Sequence, residues 1–316
     1  MRSKITATVM LFSTAIIWGF AFVAQVLGSD YVEPFTFNGI RFMIGAASLI
    51  PVYCIFEKER ELSREVKKSR HKNTAVGAVF GGLCLFIASA LQQYGATLTR
   101  DPGKAGFITG LYTVLTPVFY FLIFRKKSGW NVWIGCILAT IGLYLLCFRE
   151  GEGGMIGVGE LVLLVGAFFW AGHILIVDHF IDHVSPLRFS SWQFFISGGL
   201  GLLAAVIFEE VTIRAVWSAK WAILFCGVLS VGVAYTLQVL AQKRSDPTYA
   251  AIIFSTESVF AAVGGLLWNL VTPEALHVDQ EILPIGYAGC LIIFAGIVLS
   301  QIHFPSKKEK PSLPNE

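Results

Sequence analysis

Ten apolar stretches run through the 316 residues of this chain, each long enough to cross a lipid bilayer. The hydrocarbon core of a bilayer is about 30 Å thick and needs about 20 apolar residues in a helix. Hydrophobic residues make up 55% of the sequence and charged residues only 14%, whereas a soluble domain usually carries about 25% charged residues. The sequence therefore predicts an all-α integral membrane protein. The predicted spans are 6–27, 35–56, 75–97, 105–124, 131–148, 157–177, 187–207, 221–241, 249–270 and 284–302.

The basic residues predict how the ten spans are oriented. Cytoplasmic loops of membrane proteins carry an excess of Lys and Arg. The segments on the side of both termini hold 17 basic residues, and those on the opposite side hold five. We therefore predict that both termini are cytoplasmic, that the protein lies in the plasma membrane, and that residues 303–316 form a disordered tail. The small net charge of +3 gives no indication of nucleic-acid binding, and the six isolated cysteines lack metal-ligand spacing, so no cofactor or metal is expected.

An internal repeat divides the spans into two sets of five. A shift of 152 residues places Trp18 on Trp170, Pro34 on Pro186, Arg41 on Gln193 and Phe42 on Phe194. Shifts of 146 and 154 place Gly81 on Gly227, Gln92 on Gln238, Gly135 on Gly289 and Gly142 on Gly296. In the fourth span, four extra residues are needed to place Thr116 on Glu257. The sequence therefore predicts two five-helix units, at 5–150 and 155–302.

The odd number of helices in each unit has a geometric consequence. The second unit must enter the membrane from the side opposite to the first, so the two are inverted-topology repeats. Inverted repeats are typical of transporters that alternate between inward-open and outward-open states. This pattern favours a solute transporter over an enzyme or a receptor.

Two sequence patterns resemble the EamA family of the drug/metabolite transporter superfamily. They are DPGKAGFITGLYTVLTPVF at 101–119 and SDPTYAAIIFSTESVFAAVGG at 245–265, and Trp18 and PFTFNGIRF at 34–42 accompany them. The resemblance covers residues 5–302 and implies a ten-helix inverted-repeat fold that exports or exchanges small metabolites, amino acids among them. The chain has Glu257-Ser258 where members often have Glu-Pro in the ninth helix.

Glu257 and Arg41 are the two charged residues that lie unambiguously within predicted spans. A charged group in a span costs about 2.5–3.5 kcal/mol on insertion scales and usually faces the interior of the bundle. Glu257 is predicted either to bind a cationic group of the substrate or a coupling proton, or to be a structural hydrogen-bonding residue. Arg41 is predicted either to anchor a carboxylate or phosphate, or to be the buried partner of Gln92, Gln93 or Glu257.

Uncharged polar and aromatic residues in the spans complete the predicted substrate site. Each of them has a packing role as its alternative, either an interhelical hydrogen bond or a place in the core. They are Trp18, Gln92, Tyr94, Tyr112, Thr113, Thr116, Trp170, Tyr235 and Gln238. Pro117 frees a backbone carbonyl within the fourth span and is a candidate hinge.

Histidines give the sequence its alternative functions. His173 lies within the sixth span and is a candidate for proton coupling beside Glu257. His179 and His183 are four residues apart, and on a helix this spacing can bind a metal ion. An intramembrane metal-dependent enzyme is therefore the alternative to a transporter. The principal prediction is a non-enzymatic exporter of a small polar metabolite, surrounded by lipid, that is either a monomer or a homodimer.

Overall fold

The computed structural model describes residues 2–56, 63–126, 128–147 and 157–301, and within these residues the regular structure is entirely helical. The α-helices are α1 (Arg2–Gly28), α2 (Pro34–Phe56), α3 (Arg64–Thr99), α4 (Pro102–Gly110), α5 (Tyr112–Phe124), α6 (Trp130–Cys147), α7 (Val158–Phe180), α8 (Pro186–Phe208), α9 (Ile213–Ser218), α10 (Lys220–Leu224), α11 (Thr236–Gln242), α12 (Pro247–Phe254), α13 (Glu257–Val271) and α14 (Pro284–Gln301). A π-helical segment, Phe225–Tyr235, joins α10 to α11 and is called the π segment below. The predicted all-α class is confirmed for the described residues.

Eight helical segments of the described chain are long and apolar enough to cross a membrane. Three of them combine consecutive helices: α4 with α5, α10 with the π segment and α11, and α12 with α13. The fifth and tenth predicted spans correspond to shorter apolar helices, Trp130–Leu146 and Pro284–Ser300. The chain is therefore a multi-pass membrane protein, while the count of ten spans stays a prediction. The predicted tail, 303–316, lies outside the described residues.

Helix α3 begins 11 residues before the predicted third span. The Ser63 side chain accepts a hydrogen bond from the backbone N–H of Val66 at 3.3 Å, and Glu65 lies in the first turn. Both features stabilise a helix start. The predicted third span, 75–97, therefore lies within a longer helix whose first residues are polar and capped.

The fourth and ninth spans are both interrupted near their middles. Each begins with an Asp N-cap followed by proline, Asp101-Pro102 and Asp246-Pro247. The fourth span breaks at Leu111 and the ninth at residues 255–256. In each of them, the helix after the break begins 11 residues after the capping Asp. Tyr112 and Glu257 therefore take equivalent positions, instead of the predicted pair Thr116 and Glu257.

Pro117 is not the site of the interruption in the fourth span. Helix α5 continues through it, and the Cys136 thiol donates a weak hydrogen bond, 3.4 Å, to the Thr113 carbonyl that proline leaves without its usual partner. The ninth span breaks without any proline at position 258. Neither interruption therefore occurs at a proline.

Close contacts of small residues hold the helices together. A Cβ atom added to Gly142 of α6 would lie 2.5 Å from the Gly289 carbonyl oxygen of α14, and one added to Gly135 would lie 2.8 Å from that of Gly296. Helices α6 and α14 therefore run antiparallel with their backbones in contact. The same holds for α2 and α8, where Gly198 approaches Gly39 and the Ser191 hydroxyl donates to the Ala46 carbonyl at 3.0 Å.

The remaining helices pack around these two pairs. Helix α3 lies along α7 and α8, and the π segment lies along α1 and α2. Helix α13 runs parallel to α1, since Gly19 contacts Phe260 and Gly264 contacts Val23. We call the side of the membrane that carries the α1–α2 connection (residues 29–33) face A, and the opposite side face B.

We predict that Gly142→Ala destabilises the protein by about 1–3 kcal/mol, because the added methyl group has no space against the α14 backbone. Gly199→Ala on α8 is the matched control, since a Cβ atom there meets nothing within 4 Å. Thermal unfolding in detergent measures both variants. Equal midpoints for the two would contradict the packing described here.

Candidate functional site

A narrow cavity lies at the centre of the bundle, where the interrupted spans meet α1, α2, α3, α7 and the π segment. Its lining residues are Trp18, Ala21, Phe22, Gln25, Arg41, Gln92, Thr109, Tyr112, Trp170, Ser230, Tyr235 and Glu257. The space open to water-sized molecules is about 20 Å³, which is room for about one water. The structure is therefore closed around the cavity, and a metabolite can enter only if helices move apart.

Glu257 and Tyr112 join the two interrupted spans inside this cavity. Each is the first residue of the helix that follows its break, and the Tyr112 hydroxyl donates a hydrogen bond to Glu257 Oε1 at 2.9 Å. The position of Glu257 at the start of α13 is favourable for a carboxylate, because backbone N–H groups at a helix N-terminus carry partial positive charge. Glu257 is only 3% exposed and forms no ion pair within the described chain.

Arg41 supplies the opposite charge. It is 2% exposed, and its guanidinium lies over the rings of Phe37 and Phe42 at 5.6 and 5.1 Å and beside the Cys226 thiol. Among the described residues it makes neither an ion pair nor a hydrogen bond to Gln92, Gln93 or Glu257. The alternative in which Arg41 is the partner of one of these residues is therefore not seen in the structure. Its positive charge is held by aromatic faces and is open to the cavity.

Aromatic rings form the apolar part of the cavity wall. Trp18 contacts Tyr235 with ring centroids 4.7 Å apart, and Trp170 stacks on Tyr235 at 6.1 Å. The Trp18 indole N–H donates to the Ser230 carbonyl at 3.3 Å. The two repeat-related tryptophans thus share one tyrosine, which the π segment presents to the cavity.

Three polar lining residues were not predicted from the sequence: Gln25, Thr109 and Ser230. Gln25 accepts a hydrogen bond from Gln92 Nε2 at 3.0 Å. A signal for Gln25 existed, because it lies seven residues after Trp18 and therefore on the same helical face. No comparable signal existed for Ser230, whose place in the wall depends on the π-helical winding around it.

Five predicted residues lie elsewhere than in the cavity wall. Tyr94 is 52% exposed, because it lies two positions after Gln92 and is therefore turned by about 200° around α3. Thr113 and Thr116 are buried, and their hydroxyls donate to the backbone carbonyls of Ala251 and Tyr112. The remaining two residues are Gln238 and His173.

Gln238 and His173 lie between the cavity and face B. Gln238 donates to Gln242 Oε1 at 3.0 Å, and His173 Nε2 lies 3.0 Å from Gln193 Oε1. The His173 ring is also edge-on to Tyr235, with centroids 6.1 Å apart. His173 is therefore one ring away from the cavity, on the side opposite to Gln25.

Buried polar atoms without a hydrogen-bond partner in the described chain form two groups, one toward each face, with three more near the middle of the bundle. Toward face A they belong to Asn38, Arg41, Gln93 and Thr109, toward face B to His173, Ser190, Gln193 and Gln238, and near the middle to Trp170, Ser197 and Ser258. Leaving such a group unpaired costs about 1–3 kcal/mol. Asn38 and Arg41 are related to Ser190 and Gln193 by the repeat shift of 152 residues. Two members of each group are therefore related by the sequence repeat.

The described structure does not assemble the alternative metal site. Helix α7 ends at Phe180, and His183 closes a short 3₁₀ turn, Ile181–His183, so the two histidines do not share a helical face. His179 stacks on Phe124 with centroids 5.7 Å apart. In the part of the chain that the structure describes, no three His, Cys, Asp or Glu residues are grouped as metal ligands.

The helices and the central polar cavity define a multi-pass membrane protein with a buried, charged site between its spans. The model of the EamA-like transporter family matches residues 5–148 and 157–302. The chain therefore belongs to the EamA-like transporter family, and the resemblance noted in its sequence is confirmed.

Related proteins are also named as transporters. An uncharacterized transporter of Archaeoglobus fulgidus is 26% identical over 301 residues, covering 94% of this chain and 86% of the relative. The uncharacterized transporter YoaV of Bacillus subtilis is 25% identical over 310 residues, covering 94% and 97%. A solved structure titled only as the crystal structure of a protein has a TM-score of 0.70 at 19% identity, over 93% of this chain and 96% of that one. This last likeness concerns the fold alone.

We predict that Arg41→Met stabilises the substrate-free protein by about 1 kcal/mol or more, because a buried charge without an acidic partner opposes folding. Arg100→Met is the control. The Arg100 guanidinium binds Asp30, which raises the pKa of Arg100 above its ordinary value, so its loss should lower stability. Thermal unfolding without substrate measures both variants. Destabilisation by Arg41→Met would instead indicate a structural role for this residue.

Proposed function

We propose that the protein exports a small, amino-acid-like metabolite across the plasma membrane by alternating access, coupled to proton entry. The observation that carries this proposal is one cavity that contains a buried basic side chain, Arg41, and a buried acidic side chain, Glu257, which are not paired with each other. Charges within a membrane are costly and usually mark a substrate or ion pathway. A substrate with an acidic and a basic group would neutralise both.

Each part of the cavity has a role in this proposal. Arg41 binds the carboxylate of the metabolite, and a guanidinium suits this role because it donates two parallel hydrogen bonds. Glu257 binds the ammonium group, with Tyr112 holding the carboxylate in position. Trp18 and Tyr235 pack against the apolar part of the substrate. Oxygen and nitrogen atoms of Gln25 and Gln92 can bond further polar groups.

Two inverted halves, at 5–150 and 155–302, provide the alternating access. The repeat places Gly135 on Gly289 and Gly142 on Gly296, and the observed contacts are Gly135 with Gly296 and Gly142 with Gly289. A two-fold axis in the membrane plane turns the first contact into the second. This reciprocity supports ten spans in two inverted sets, with α6 and α14 as the fifth and tenth.

Helices α2, α3, α8 and the π segment obey the same relation. Gly81 of α3 lies against Gln193 of α8, and their repeat-mates, Gly227 of the π segment and Arg41 of α2, are also in contact. The repeat-mates Phe42 and Phe194 contact each other, with centroids 6.1 Å apart. A residue in contact with its own repeat-mate lies at the axis. Rocking of one half on the other would therefore open the central cavity to each face in turn.

The two groups of unpaired polar atoms support this motion. In the closed structure they lack partners, whereas opening toward face A would hydrate Asn38 and Gln93, and opening toward face B would hydrate Ser190 and Gln193. Water then supplies the missing hydrogen bonds. The closed state is thereby destabilised relative to either open state, and this favours opening of the cavity to one face or the other.

Proton coupling is proposed at Glu257. After the substrate leaves at face A, which is external in the predicted orientation, Glu257 takes up a proton. When the cavity opens to face B, the next ammonium group displaces this proton, and His173 provides a relay toward the cytoplasm. All the residues proposed for substrate and proton binding lie within one chain.

We predict that proteoliposomes containing the protein release amino-acid-like metabolites from an enclosed mixture, faster when the exterior is made acidic. Glu257→Gln should remove the effect of the pH gradient, because an amide cannot carry the proton. Glu210→Gln, an exposed carboxylate at the end of α8, should leave it unchanged. Mass spectrometry of the released metabolites measures the rates.

The outcomes separate two parts of the proposal. If no metabolite is released by the wild-type protein, transport itself is contradicted. If Glu257→Gln keeps the full response to the gradient, proton coupling at this residue is contradicted while transport stands.

A further inference from the structure

A second and larger cavity opens on the outer surface of the bundle, in the half of the membrane next to face A. This cavity is a groove in which the space open to water-sized molecules is about 600 Å³, compared with about 20 Å³ in the central cavity. Its surface is almost wholly apolar. Helix α1 forms its floor, the start of the eighth span forms one wall, and α13 forms the other. It is separate from the substrate cavity, because the two lie on opposite sides of α1.

The residues of α1 make this separation visible. Phe20, Ala24 and Leu27 face the groove and are four and three residues apart, as on one helical stripe. Trp18, Ala21 and Gln25 face the central cavity. A molecule in the groove therefore touches the helix that carries part of the substrate site without touching the substrate.

Small residues create the groove and large ones border it. The small side chains of Ala24 and Ala222 leave space at the floor and at one wall of the groove. The larger side chains of Trp221, Leu267 and Val271 border this space and are exposed. These residues belong to spans that are apolar enough for lipid contact. In a bilayer, such a surface is surrounded by lipid hydrocarbon, so a lipid acyl chain is the group that would occupy the groove.

The dimensions of the groove fit one leaflet. From Phe20 to Asp30 the chain covers about 15 Å, at a rise of 1.5 Å per residue. The hydrocarbon core is about 30 Å thick. The groove thus extends from near the midplane to the interface at face A, which is the depth of a single acyl chain.

The rim at face A provides a place for a charged headgroup. Lys220 Nζ lies over the rings of Trp217 and Trp221 at 4.9 and 5.8 Å, and Trp221 borders the groove. Neither Lys220 nor Arg214 on α9 has an acidic partner in the described chain. Asp30, at the same rim, is neutralised by Arg100. Lys220 and Arg214 are therefore available to bind a phosphate at this part of the rim.

We propose that this groove binds one phospholipid, with an acyl chain between α1 and α13 and the phosphate at Lys220 and Arg214. Tryptophans at the rim are typical of membrane interfaces and support this placement. A bound lipid fixes the distance between α1, α13 and the eighth span, which all line the central cavity on their other sides. The proposal is independent of which solute the protein moves.

Native mass spectrometry of the protein, extracted in mild detergent and supplied with phosphatidylglycerol, tests the proposal. We expect one phospholipid per chain in the wild type and at least a tenfold loss of occupancy in Ala24→Phe, whose ring fills the groove. Ala47→Phe is the matched control, since Ala47 is exposed on α2 outside the groove, and it should retain the lipid.

A second and milder variant tests the proposal if Ala24→Phe does not fold. Lys220→Gln changes an interfacial surface residue and should lower occupancy several-fold, whereas Lys243→Gln at face B should not. Three results would overturn the proposal: a wild type without bound phospholipid, equal occupancy in Ala24→Phe and Ala47→Phe, or a second copy of the chain covering the groove in place of lipid.

Discussion

Within a bilayer, no water is available to satisfy a polar group, and this constraint accounts for both the helices and the cavity. Backbone groups are paired inside each span, which is why the described regular structure is helical. Polar side chains are not paired by the helix itself. Each one in the bundle is therefore expected to have a hydrogen-bond partner or to bind a ligand. Arg41 and Glu257 have no ionic partner in the described chain. Their presence is understandable if a ligand supplies the missing charges.

Close packing of small residues then determines where these charges lie. The contacts between Gly142 and Gly289 and between Gly39 and Gly198 bring repeat-related helices together in antiparallel pairs. At the two interrupted spans, the residues that follow the breaks, Tyr112 and Glu257, are hydrogen-bonded to each other, and so the carboxylate lies at the centre of the bundle. Under the proposed two-fold relation, each half has its own group of unpaired polar atoms.

Hydropathy and the cost of intramembrane charge made the long spans and part of the cavity lining predictable from the sequence. Apolar length predicts the eight long spans, and rarity of charge within them singles out Arg41 and Glu257. The repeat singles out Trp18 and Trp170. All four line the cavity, because residues that are costly in lipid or matched in both halves tend to face the interior.

The rotation of helices and the local winding were not predictable in the same way. Tyr94 faces outward although Gln92 faces the cavity, and Gln25 was overlooked although it shares a face with Trp18. The break at Leu111 precedes Pro117 by more than a turn, and the π segment has no sequence marker that we can identify. These features depend on contacts between spans, which apolar length alone does not encode.

The central claim is that the two halves open the same cavity to opposite faces in turn. Asn38 and Ser190 are repeat-mates in the two groups of unpaired polar atoms, so their cysteine variants in a cysteine-free background test it most directly. A membrane-impermeant maleimide should label Asn38→Cys only from face A and Ser190→Cys only from face B. In the double variant, labelling Asn38→Cys with a bulky reagent should hold face A open and slow labelling of Ser190→Cys at least tenfold. Labelling of both positions from one face, or undiminished labelling of the second after the first, would contradict the account.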